Sequence, residues 1–435
     1  MAGAVTWGAL LGVFACGDEA TVLNGAPEAA SNDTSDGPRG EDPSDGTPAT
    51  DTPSDGAANP SPLYVVSTGI ISGDDFLGYL ATVPSLDAGT TFDLDRAVEV
   101  GAGAWIFSRP GDDSVFVASL LDATIVRWQV LGDARFERRE TLDFGGVGLS
   151  TAYLAASAPI FSAEKSYFVD EDQDQVVIWN PARMELIGTI ALGDENQGTL
   201  RPIPEGALLV QGDELLVTVG WRDPDDTSVY GDHVRLVRID TTTDQIAGAT
   251  TETRNSHEAF SAKASDGTSY FSPYSLYAAY TQIGAGHGAP SVALRIQPPA
   301  TSFDASYELD LSALVGGRPA GDFTLLDDQT ALIRAWHPEL VDPVDPASWQ
   351  DVLWNQAGFW WWRWHIGDAA ATRIENQEPG ALGASVFAMD DKIYSTRYAA
   401  DLSSTTLVEI TPDGEFLPAM QGPGQFVGNG VLRIR

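Results

Sequence analysis

Arginines and aromatic residues stand side by side at four places in this chain: Trp221-Arg222, Tyr274 with Tyr277 and Tyr280, Arg334-Ala335-Trp336-His337, and Arg397-Tyr398. A guanidinium next to an aromatic face can hold a planar anionic ligand, the ring by stacking and the cation by charge-assisted hydrogen bonds. Trp221, Arg222, Tyr274, Arg334, Trp336, Arg397 and Tyr398 are therefore the candidate ligand-binding residues. The alternative is that these aromatics pack their own loops and the arginines neutralise Asp223, Asp225, Asp226, Glu339 and Asp342 nearby. Residues 336–364 also hold seven of the twelve tryptophans. Alternation along a strand would send Trp360, Trp362 and Trp364 to one side and Trp361 and Arg363 to the other, for packing between sheets. Trp349 and Trp354 fall in a loop and are further ligand candidates.

Signals for catalysis are weak. The chain has no GxSxG, no HExxH, no phosphate-binding glycine loop and no CxxC. Its five histidines, His233, His257, His287, His337 and His365, are scattered, and each is expected to be a satisfied or surface residue. Asp170-Glu171-Asp172-Gln173-Asp174 has the alternate carboxylates of a calcium loop, but Gln175 replaces the glycine and Pro181 the bidentate Glu such a loop needs. A solvated acidic turn is the better reading. The expectation is a binding protein rather than an enzyme, with no catalytic residue, metal or cofactor.

The elements that must position these residues repeat along the chain. From Ala158 to Gly193 four short runs rich in Val, Ile, Phe, Tyr and Trp alternate with polar turns: Pro159–Ser162, Ser166–Val169, Gln175–Trp179 and Glu185–Leu192. That is the pattern of a four-stranded antiparallel meander, which cannot bury both its faces without neighbours. The third run, Val176–Trp179, has six counterparts: Leu80–Val83, Ile125–Trp128, Leu236–Ile239, Ala293–Ile296, Trp361–Trp364 and Leu407–Ile410. Other runs align around them as first, second and fourth strands, among them Ile160–Ser162, Tyr64–Ser67, Phe92–Val100 and Tyr307–Leu311. The first unit opens at Leu63 on a second strand, and the chain ends on a spare run, Gly430–Arg435. Pairing that run into the first unit closes a ring and removes the exposed edge. The fold class is all-β, a seven-bladed β-propeller closed by its C-terminal strand; two packed β-sandwiches are the competing architecture. Loops between second and third strands enlarge in units four to seven, at Gly220–His233, Ser272–Ser291, Ala335–Phe359 and Thr396–Ser404, all on one face, where binding usually resides.

The front end is different. Residues 2–15 carry no charge and end at Cys16, the only cysteine. They suit the apolar core of a secretory signal and are too few to span a bilayer. Val13-Phe14-Ala15-Cys16 looks like a bacterial lipobox, with Cys16 as the lipidated residue. Residues 17–62 hold ten acids, one base and almost nothing to bury, so they are expected to be disordered. As a flexible coil this tether would span roughly 35–40 Å. The expected organisation is a signal peptide over 1–15, a lipidated cysteine and acidic linker over 16–62, and a propeller over 63–435. A net charge of −38 excludes nucleic acid and anionic membrane surfaces as partners. The protein is expected to be a monomer that meets the membrane through its lipid anchor alone.

The lipobox-like cysteine, the polar tether and a seven-unit propeller opening with TGIISGDDFLGYLATV (Thr68–Val83) resemble the bacterial propeller lipoproteins found near siderophore loci, including the myxochelin locus, and near TonB-dependent receptors. The resemblance is one of whole-chain organisation. It implies a cell-envelope lipoprotein, on the outer membrane, that captures or hands on a ferric siderophore. A non-enzymatic scaffold that binds a partner protein such as an outer-membrane receptor is the alternative.

Overall fold

The computed structural model describes residues 62–435 except 73–74, 102–103, 110–111, 120, 157–161, 227–228, 259, 284–289, 342–352, 354–355, 376, 381–385 and 400. The expected signal segment, Cys16 and the linker lie outside the described residues.

Seven antiparallel meanders form a ring. Blade one is ordered Gln425–Arg433, Tyr64–Ser72, Asp75–Val83, Val98–Gly101, so the C-terminal strand is its first strand, as the spare run implies. Blade two comprises Ala104–Ser108, Ser114–Ser119, Thr124–Val130 and Phe136–Asp143. In blade three the described strands are Ser166–Asp170, Gln175–Asn180 and Glu185–Ala191, and the first strand expected at Ile160–Ser162 falls largely outside the described residues. Blade four is Arg201–Gln211, Glu214–Arg222, Val234–Asp240 and Gln245–Glu252. Blade five is Phe260–Lys263, Ser269–Ser272, Val292–Ile296 and Leu309–Asp310. Blade six is Ala320–Asp327, Thr330–Trp336, Phe359–His365 and Thr372–Arg373. Blade seven is Val386–Met389, Lys392–Tyr398, Ser404–Ile410 and Phe416–Pro423. All seven apolar tetrads are third strands. Outer strands are shorter than expected: Phe92–Val100 contracts to Val98–Gly101, and Tyr307–Leu311 to Leu309–Asp310.

Apolar side chains fill the gaps between blades. Trp179 in blade three has no exposed area and meets Phe107 and Phe116 of blade two and Phe144 edge-on, with centroids 6.1, 5.6 and 6.5 Å away. On blade six, Trp361 packs with Val386 and Ile410 of blade seven, whereas Trp362 and Trp364 pack with Ala262 and Ala293 of blade five. The alternation read from the tryptophan run thus holds. Polar pins cross the same gaps. Tyr167 Oη and Lys165 Nζ both donate to Asp244, at 2.7 and 2.9 Å, and Tyr64 Oη donates to Asp390 at 2.6 Å.

Candidate functional site

In an up-and-down blade the second strand ends on the face where the first begins, and the register shows this directly: Arg222 pairs with Arg201, and Ala335 with Ala320. Trp221, Arg222, Tyr274, Arg334, Trp336, Arg397 and Tyr398 all lie at or just beyond second-strand ends, on one face. The enlarged loops on that face belong to blades four, five and six, at residues 223–233, 273–291 and 337–358. The enlargement expected in blade seven is corrected: Thr396, Arg397 and Tyr398 stay in the ladder opposite Leu407, Thr406 and Thr405, leaving only residues 399–403 as loop. Polar side chains there reflect a strand with a solvated side rather than a loop.

Three blades build the centre of the site. Blade four supplies Arg222, half-buried at the end of its strand. Its Nη1 lies 3.5 Å from Tyr277 Oη, and its Nε has no hydrogen-bond partner among the described residues. Burial opposes its charge, but Tyr230, Tyr277 and the carboxylate of Glu171 keep the guanidinium firmly protonated. Tyr230 comes from the blade-four loop. Blade five supplies a helix, Ser275–Ile283, in the segment read from sequence as open loop. Tyr274, Tyr277 and Tyr280 are buried along it, each neighbouring pair of rings 5.5 Å apart. The turn entering blade five supplies Asn255, Ser256, His257 and Glu258, all buried. The His257 ring stands perpendicular to Tyr277 at 4.3 Å and lies 5.2 Å from Tyr230. Asn255 Nδ2 donates to Glu258 Oε1 at 3.0 Å and to the Val292 carbonyl at 2.9 Å. Thr218 Oγ1 donates to the Glu258 carbonyl at 3.0 Å.

The remaining candidates surround this centre. Trp221 is buried, donates its indole N–H to the Glu195 carbonyl at 3.0 Å and packs against the tilted His233 ring at 4.6 Å. Arg334 is only 2% exposed; it lies 3.6 Å from Asp322 and packs between the rings of Phe359 and Trp361 at 5.1 and 5.4 Å. Trp336 has no exposed area and packs on Phe359. Arg397 is exposed, and Tyr398 donates its hydroxyl to the Phe426 carbonyl at 3.1 Å. Trp349, Trp354 and His287 lie outside the described residues. The structure therefore gathers Arg222 and Tyr274, places Arg334 and Trp336 behind them in blade six, and leaves Arg397 and Tyr398 apart on blade seven.

The sequence reading missed Tyr230, Asn255 and Glu258 and passed over His257. Asn255-Ser256-His257-Glu258 reads as a polar connector, and only the ring closure buries it. Of the other histidines, His337 is buried and His365 exposed. In the acidic turn of blade three, Asp170 accepts from Gln175 Nε2 and from the Asp172 N–H, and Asp174 accepts from the Asp194 N–H. Among the described residues no group of three His, Cys, Asp or Glu converges to hold a metal ion. No helix among them is long and apolar enough to cross a membrane.

No protein-family model and no curated protein matches the chain. Solved propeller structures do. A candidate 6-phosphogluconolactonase from Bacteroides fragilis superposes with a TM-score of 0.52 at 10% identity, covering 88% of this chain and all of that one. The periplasmic gluconolactonase of Pseudomonas aeruginosa gives 0.51 at 9% identity, covering 86% of this chain and 99% of that one. A candidate selenium-binding protein from Sulfolobus tokodaii gives 0.52 at 8%, covering 86% and 92%. At such identities the likeness shows the fold, a seven-bladed propeller. It also corrects the expectation of a non-enzymatic protein, because chains of this shape include ones described as lactonases. The physical reason is that the expectation rested on missing linear motifs. A ring assembles its buried polar groups from separate blades, as His257, Glu258, Tyr230 and Arg222 illustrate.

Proposed function

We propose that this is a cell-envelope propeller that binds a small anionic molecule on the loop face of blades four to six, with Arg222 supplying the charge. One observation carries this reading: Arg222 sits among phenol rings at the convergence of the enlarged loops, with its Nε unpartnered among the described residues. A carboxylate or phosphate oxygen is the natural partner for such a group. The lactonases among the structural neighbours make sugar-lactone ring opening the first reaction to assay, with His257 and Glu258 as the buried groups able to take and return a proton.

A ferric siderophore is the larger ligand within this reading, supported by the tyrosines around Arg222 and by the exposed Arg397 on the same face. The burial of Arg334 and Trp336 favours the smaller anion. Anchoring through Cys16 fits the geometry. Tyr64 begins a second strand, so the tether joins the face opposite the site.

Calorimetric titration of the purified protein with gluconate, glucono-lactone and a ferric catecholate tests the reading. Saturable binding that weakens about 10- to 100-fold in Arg222→Ala is expected, the effect of losing a charged hydrogen bond. No saturation with any of the three, or equal binding by Arg222→Ala, overturns it.

A further inference from the structure

We propose that the buried Asp322–Arg334 pair of blade six is a positioning device that sets the tyrosine helix of blade five and, through Tyr277, the guanidinium of Arg222. The inference rests on the site proposed above and assigns Arg334 a role other than ligand contact.

The geometry is specific. The Asp322 carboxylate accepts the Ser275 N–H on one oxygen at 2.7 Å and the Ser275 hydroxyl on the other at 2.8 Å. A carboxylate from a neighbouring blade thus caps the first turn of the helix that carries Tyr277 and Tyr280, where unpaired N–H groups and the helix dipole both favour negative charge. In return the Asp322 N–H donates to the Pro273 carbonyl at 3.0 Å, and the Phe323 N–H to Ser272 Oγ at 3.0 Å. Backbone shape is committed to this contact. Asp322 holds a left-handed φ of 51°, and a Cβ on Gly321 would lie 2.3 Å from the Pro273 carbonyl oxygen. Arg334, paired with Gly321 across the ladder, supplies the countercharge. Its guanidinium is in turn fixed by Phe359 and Trp361. Burial pushes the Asp322 carboxyl up, against the pull of Arg334 and Ser275. Both side chains are inaccessible, with Arg334 2% and Asp322 4% exposed. A ligand on the face meets the tyrosines and Arg222, not this pair.

Removing one member of a buried pair strands the other charge, whereas removing both with volume preserved can be nearly neutral. The test therefore compares full-length wild type with Arg334→Met, the double variant Asp322→Asn/Arg334→Met, and Ser275→Ala as a milder perturbation. The side-chain amide introduced by Asp322→Asn would still accept from Ser275 through its oxygen. Amide hydrogen exchange over Ser275–Ile283 reports the helix, and calorimetric titration with gluconate reports the site. Arg334→Met is expected to speed helix exchange and weaken gluconate binding, each about tenfold or more, with the double variant recovering most of both. Ser275→Ala should speed helix exchange in the same direction. Unchanged exchange in Ser275→Ala and Arg334→Met overturns the proposal. So does a double variant whose helix recovers while its gluconate affinity does not, because Arg334 would then touch the ligand. Should wild type not bind gluconate, the binding reading fails on that arm, and exchange still decides the positioning role.

Discussion

Protonating His337 tests how tightly the base of the blade-six loop is specified. The side chain has no exposed area. Its Nε2 lies 3.2 Å from the indole nitrogen of Trp362, which can only donate, so Nε2 accepts. Nδ1 must then carry the proton and donates to Glu339 at 2.9 Å. A second proton, on Nε2, would set two donors facing each other. Burial lowers the His337 pKa from its ordinary 6.5, with Arg318 and Arg373 adding to the shift and Glu339 opposing it. Glu339 is itself held at about 2: burial works against its charge, but Arg318 and His337 outweigh that. The sign follows. Below pH 6.5 the unfolded chain takes a proton here more readily than the folded protein does, so stability falls as pH falls. Between pH 7.5 and 5.5 the loss is at most about 1.4 kcal/mol, the ceiling set by a folded-state imidazole that takes no proton over that range. Asp174 acts in the opposite sense, because burial raises its carboxyl to about 6 and the folded state binds that proton more readily. A raw stability curve mixes the two. His337→Gln separates them, since an amide can donate to Glu339 and accept from Trp362 without titrating. Urea unfolding of both proteins at pH 7.5 and 5.5 should show the variant gaining on wild type at the lower pH, by up to about 1.4 kcal/mol. A stability difference that is the same at both pH values refutes the argument.

Two further outcomes bear on the ring itself. Trp179→Ala removes the ring that Phe107, Phe116 and Phe144 surround and should cost about 3–5 kcal/mol in urea unfolding; a loss below about 1 kcal/mol would mean blades two and three are not joined through it. Deleting residues 425–435 removes the first strand of blade one together with buried Phe426, Val431 and Ile434. Those three side chains alone contribute roughly 5–9 kcal/mol, comparable with the whole stability of a folded protein. The truncated chain should lose its cooperative transition, and a wild-type-like transition would show that closure by this strand is dispensable.

What the sequence made legible was whatever is decided within a few residues. Val176–Trp179 and its six counterparts announce third strands because a strand buried on both sides must be apolar throughout, and a spare Val431–Ile434 has only one edge left to pair with. Even the sides of Trp361 and Trp364 follow from alternation. Legibility stopped where the cause lies in another blade. Ser275–Ile283 shows no polar face of its own, and its first turn is capped by Asp322, 47 residues away. Asn255–Glu258 is polar in composition but is covered by blades on both sides.

Charge explains why one arginine remains informative. Many arginines elsewhere in the chain neutralise nearby acids: Arg238 meets Glu214, Arg254 meets Glu252, Arg295 meets Asp304 and Arg318 meets Glu339. Each such pair involves residues of neighbouring strands or turns, and an acidic surface supplies partners freely. Arg334 is consumed in the same way, only deeper. Arg222 differs in its immediate partners, because the groups closest to its guanidinium are the Tyr230 and Tyr277 phenols, the latter delivered by a helix from the next blade, with the Glu171 carboxylate contributing at longer range. In a chain with 62 acidic and 24 basic side chains, keeping an arginine among tyrosines on the loop face runs against composition. The small anion proposed as ligand is the partner that would resolve that conflict.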